Sequence, residues 1–157
     1  LNGEASYAEL GGAYCAASEL LNLMARCLTG RMLTPELLYG PEKQEKSVIT
    51  GKVDVKALAE EVFSHTERVL GFKQLPSLYR VGDSFVSPVD AFAMLSNALL
   101  EGQTQIGAVE GRLAAADHVN EASQFGGGWA LWDPDFRAEG IFEQTKLQCW
   151  TLKPAIF

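Results

Sequence analysis

The sequence predicts a mainly helical α+β domain: four to five helices, a small β-hairpin and an extended C-terminal segment. Three observations carry that expectation. Apolar residues recur at helical spacing in several windows. Two helix starts show a Ser or Thr cap followed by proline, at Thr34-Pro35 and Ser87-Pro88. Two short β-favouring runs flank Gly82-Asp83, a Gly-first pair suited to a tight hairpin turn. With 157 residues, the chain is long enough for a single domain over 1–157 with a substantial core.

The first helix is expected over Ser6–Leu28, because Tyr7, Leu10, Tyr14, Ala17, Leu21, Met24 and Leu28 share one face. Glu19, Asn22 and Arg26 group away from that face. Gly11-Gly12 weakens the helix, by about 1 kcal/mol per glycine relative to alanine, and marks a break or a close contact. Tyr7, Leu10-Gly11, Tyr14 and Pro35 match single positions of a tetratricopeptide unit, but no second copy follows and no repeat array is read. Thr34-Pro35-Glu36 predicts a short helix to Tyr39, closed by Gly40-Pro41. The polar stretch Glu42–Lys52 is expected to be an exposed loop.

Asp54 caps a helix expected to reach Leu70, with Val55, Leu58, Ala59, Val62, Thr66 and Val69 as its buried stripe and Gly71 as its stop. Leu78–Val81 and Ser84–Val86 form the hairpin. Ser87, Pro88 and Asp90 then open a helix as cap, first-turn proline and capping acid, with Val89, Phe92, Ser96, Leu99 and Leu100 facing inward and Gly102 ending it. Ile106–Ser123 is read as a further helix from its alanines, against Gly107 and Gly111. Thr145–Leu152 is read as extended, with Trp129–Trp132 as its partner strand.

Composition excludes several function classes. The net charge is −7 with no Lys/Arg run, so a nucleic-acid partner is not expected. No apolar run approaches the ~20 residues of a membrane helix. Three cysteines without metal spacing read as free, buried thiols rather than a disulfide framework. Cys15 and Cys27, placed on one helix, stand about 18 Å apart, too far to bridge. A cytoplasmic setting is favoured; the start at Leu1 rather than Met leaves export open as an expectation.

No cofactor motif is present. Gly126-Gly127-Gly128 lacks the Lys or Ser/Thr of a phosphate cradle and is followed by aspartates that repel phosphate, so it reads as a hinge. The residues after it are the best ligand-binding candidates: Trp129, Trp132, Asp133, Asp135 and Phe136. Indole faces can stack on a sugar ring or cation while a neighbouring carboxylate takes hydrogen bonds or charge. The bland counterpart is that these rings seal one end of the core.

A second constellation is Glu61 and His65 at i, i+4 on one helix, facing Asp117, His118 and Glu121 on another. Such groups can hold a metal or move protons, although the Glu-x-x-His pairs of bundle di-metal sites are missing. Nothing supports a nucleophile: no Gly-x-Ser-x-Gly elbow occurs, and Ser64-His65 diverge on a helix. The expected function is therefore a non-catalytic module that binds a protein or a small ligand, without metal or cofactor. The alternatives are a small metal-dependent or acid/base enzyme built on the five helix residues, and a structural subunit, including a homo-oligomer, in which a partner completes an apolar face.

Overall fold

Gly11 and Gly12 do not interrupt a helix; they turn a hairpin. The computed structural model describes residues 4–69, 71–114, 116–119 and 140–154. In it, β1 (Glu4–Ala5) precedes β2 (Ala8–Leu10) and β3 (Ala13–Cys15), which pair antiparallel with Glu9 opposite Tyr14. Both turn glycines have left-handed φ values, 60° and 84°, which side chains with a Cβ rarely adopt. The expected Ser6–Leu28 helix therefore starts only at α1, Ala17–Leu28. Tyr7 and Tyr14 recur seven apart because they meet across the hairpin, with rings 6.2 Å apart, and Tyr7 and Leu10 are exposed.

Glu19 and Asn22, which group away from the apolar face expected for this helix, are buried as well. Glu19 accepts the Ala16 N–H at 2.9 Å, satisfying an open donor at the helix start, and pairs with Lys153 at 2.8 Å. Asn22 accepts the Arg26 Nε–H at 2.7 Å. Buried polar groups persist here because each has a partner.

Residues 31–38 form no helix despite the Thr34-Pro35-Glu36 signal, and Tyr39 enters a β-bridge instead. The 42–52 stretch is mostly exposed, as expected, yet it is tied down: Val48 exchanges both backbone bonds with Phe85, at 2.7 and 2.8 Å. β4 (Val53–Asp54) then leads into α2 (Val55–Ser64), with Asp54 Oδ1 accepting the Ala57 N–H at 2.7 Å. Val55, Leu58, Ala59 and Val62 form the buried stripe as predicted. The helix stops at Ser64 rather than Leu70. β5 (Glu67–Val69) and β6 (Phe72–Gln74) follow as an antiparallel pair, and Gly71 sits in their turn. Thr66 and Val69 fit helical spacing, but β-branched residues suit strands equally well.

β7 (Tyr79–Val81) and β8 (Ser84–Val86) form the hairpin around Gly82-Asp83, as read from sequence. α3 (Pro88–Glu101) begins at Ser87, whose Oγ accepts the Asp90 N–H, and ends at left-handed Gly102. Of its expected inward face, Phe92 and Ser96 are buried and Val89 packs against the core. Ala91–Ser96 are all buried, whereas Leu99 and Leu100 are exposed, because α3 is enclosed by α1, α2 and several strands.

Among the described residues of the helix expected over Ile106–Ser123, 106–114 hold the end of β9 (Gln105–Ile106) and β10 (Arg112–Leu113) instead, and 116–119 are helical; 115 and 120–123 lie outside the described residues. β9 pairs antiparallel with β4, and β10 pairs parallel with β1. Gly111 permits this: a Cβ there would collide with the Val89 carbonyl. The C-terminal segment is also reversed from expectation. Residues 141–148 are helical (α4, Ile141–Gln148) and Cys149–Thr151 continue as a 3₁₀ turn, so Thr145–Leu152 is not a strand. Its proposed partner, Trp129–Trp132, lies outside the described residues.

The result is an α+β mixture of helices and small strand pairs. Leu21, Leu58, Phe92, Met94, Leu95, Tyr79 and Trp150 join in a common core. Trp150 reaches it beside Gly40, where an added Cβ would lie 2.8 Å from the Trp150 Cβ. The buried Ser18 hydroxyl is shared between the Leu38 and Trp150 carbonyls, at 2.6 and 3.1 Å. The cysteines are free, as expected, but Cys27 is exposed; Cys15 and Cys149 are buried. Among the described residues, no helix is long and apolar enough to cross a membrane.

Candidate functional site

The segment from Arg31 to Tyr39 leaves α1 without regular secondary structure and is held in place by polar contacts. Arg26, on the last turn of α1, donates to the Met32 carbonyl at 3.2 Å and pairs with Glu36 at 2.8 Å. The other Glu36 oxygen takes Lys73 of β6 at 2.6 Å. Tyr39 docks on the same strand: its N–H donates to the Lys73 carbonyl and its carbonyl accepts from Leu75, both at 3.0 Å. Glu36 is held below the usual carboxylate range first by its Lys73 hydrogen bond, with burial opposing and the charges of Lys73 and Arg26 reinforcing. Next to it, Arg31 lies 4.1 Å from the centre of the Phe63 ring and pairs with Glu60 at 2.7 Å.

This framework fixes the backbone while its large side chains face water. Met32 is 81% exposed, Leu33 59%, Leu37 58% and Tyr39 41%. Phe72, 54% exposed, extends the surface from β6, its ring edge-on to Tyr39 at 5.4 Å. Leu38 alone of the run turns inward and is fully buried. Single exposed apolar residues are ordinary; here five fall on one segment and the strand beside it, and Tyr39 and Phe72 are in contact.

A polar node lies elsewhere, at the start of α3. Asp90 Oδ2 accepts from the Ser47 hydroxyl and, at 3.0 Å, from Ser87; Oδ1 accepts the Gly111 N–H at 2.8 Å. The Ser87 N–H donates to Ser47 Oγ at 2.8 Å. The node thus joins the 42–52 loop, the α3 cap and the approach to β10. A cleft of about 240 Å³ opens beside it, with Lys43, Arg112 and Lys146 among its walls. That is smaller than the roughly 300–1,000 Å³ of a drug-sized ligand site. Arg112 is committed to Glu4 and to Asp117, the latter at 2.6 Å, and the Glu4 hydrogen bond leads in raising its guanidinium further above its usual value. Lys146 pairs with Glu143 at 2.8 Å.

No protein-family model, curated protein or solved structure matches this chain. The chemistry of the site therefore rests on its own residues.

Of the sequence-predicted residues, Glu61 and His65 do meet: His65 Nδ1 lies 3.0 Å from Glu61 Oε1 at the end of α2. Asp117 is taken by Arg112 next to β10, and His118, exposed on the turn at 116–119, makes contacts of its own. Among the described residues, no three His, Cys, Asp or Glu side chains group as a metal would require. Glu121, Trp129, Trp132, Asp133, Asp135 and Phe136 lie outside the described residues.

Sequence reasoning missed the exposed ridge. Its signal was present: Met32-Leu33 and Leu37-Leu38 place four large apolar residues around Thr-Pro-Glu, too few polar positions for a half-solvated helix. Desolvation pushes the buried Cys149 thiol pKa up, away from the reactive thiolate.

Proposed function

We propose that this chain is a non-catalytic binding module that takes a protein partner on the ridge of Met32, Leu33, Leu37, Tyr39 and Phe72. What carries the reading is the combination of exposed apolar side chains and a backbone braced by Arg26, Glu36 and Lys73. A braced surface loses little conformational freedom on binding, so more of the burial energy becomes affinity. Full burial of a Leu, Met or Phe side chain is worth about 1.5–3 kcal/mol, and partial exposure scales that down. The segment containing Trp129, Trp132, Asp133, Asp135 and Phe136 is proposed as a further contact on its chemistry alone.

The test compares two double variants, Met32→Ser/Leu37→Ser on the ridge and Val48→Ser/Leu100→Ser at exposed apolar positions elsewhere. Each is cross-linked in the cells that make the protein, and the captured partners are compared. Partners lost by the first variant and kept by the second support the ridge. Equal capture by both would remove it.

A second reading, an acid/base or metal-dependent enzyme, has one observation in its favour, the 3.0 Å contact of Glu61 with His65. It predicts a stoichiometric metal in native mass spectrometry that His65→Ala removes. A third, a subunit of a larger assembly, would make the ridge partner a copy of this chain; concentration-dependent mass in light scattering would favour it.

A further inference from the structure

We draw no further inference here: the strongest candidate, the cleft of about 240 Å³ between the start of α3, β10 and α4, carries nothing because the helix start is already capped by Ser87 and Asp90 and its Arg112 and Lys146 are ion-paired within the chain, so no observation points to a ligand.

Discussion

Tyr79 sits on β7 against α2, fully buried, with a hydroxyl that has no hydrogen-bond partner among the described residues. Desolvation, with the Glu61 carboxylate adding to it, drives the phenol pKa well above its usual value, so the group stays neutral. An unpaired buried hydroxyl costs about 1–3 kcal/mol. Tyr79→Phe keeps the ring and removes that cost, so its urea midpoint is expected to rise, by the equivalent of about 1 kcal/mol. A lower midpoint would mean that the hydroxyl is satisfied in solution. Gly111 gives the opposite case. Its Cβ would strike backbone, the Val89 carbonyl, rather than a side chain that could move aside. Gly111→Ala is expected to cost at least about 2 kcal/mol, as overpacking does, in the same assay. An unchanged midpoint would show that β10 can shift away from α3.

At the scale of elements, the start of α3 and the 31–39 segment each have a carboxylate, Asp90 and Glu36, that joins several partners. Ser87→Ala removes a cap and is expected to cost about 1 kcal/mol. Asp90→Ala is expected to cost more, about 2–3 kcal/mol, because it strands the Gly111 N–H and removes the acceptor shared by the Ser47 and Ser87 hydroxyls. Equal losses in thermal unfolding would mean that the loop and β10 do not depend on the node. Glu36 makes a prediction in pH. Its pKa is depressed in the folded chain, so the unfolded chain binds the proton more readily. Its contribution is complete above the ordinary carboxylate value of 4.5 and is lost as pH falls from there through the depressed folded value. Glu36→Gln is therefore expected to flatten the acid limb of the stability curve and to lower stability near neutral pH. An acid limb unchanged by the variant would show that Lys73 and Arg26 do not hold the carboxylate in solution.

For the whole molecule, the contrast is between a net charge of −7 and a neutralised ridge. Glu36 is taken by Arg26 and Lys73, and Glu60 by Arg31, so the segment presents apolar contacts with its charges paired internally. Binding there is expected to depend weakly on salt, since exposed long-range charge interactions are what ionic strength screens. Met32→Ser/Leu37→Ser is expected to weaken the partner by about 10- to 100-fold with little change in unfolding midpoint, because both side chains are mostly in water already. Titration of the captured partner at two salt concentrations measures both effects. A large midpoint loss would instead make the ridge part of the core.

Local signals by themselves determined the hairpin at Gly82-Asp83, the caps at Asp54 and Ser87, the buried stripe of α2 and the end of α3 at Gly102. Each depends on residues within a few positions of one another, where cap and turn chemistry acts. Tertiary structure decided the rest. Gly11-Gly12 could break a helix or turn a hairpin. Residues 31–39 carried a helix signal, yet Tyr39 found β6. Residues 105–106 and 112–113 became strands because β4 and β1 lie beside them, about fifty and over one hundred positions away. Trp150 sits in a strand-like run but lies in a 3₁₀ turn packed on Gly40 and Ser18. The Glu61–His65 pair was legible because it lies within one helical turn. The ridge was not, because its exposure is set by where α1, α2 and β6 leave water, and no window of the sequence contains all three.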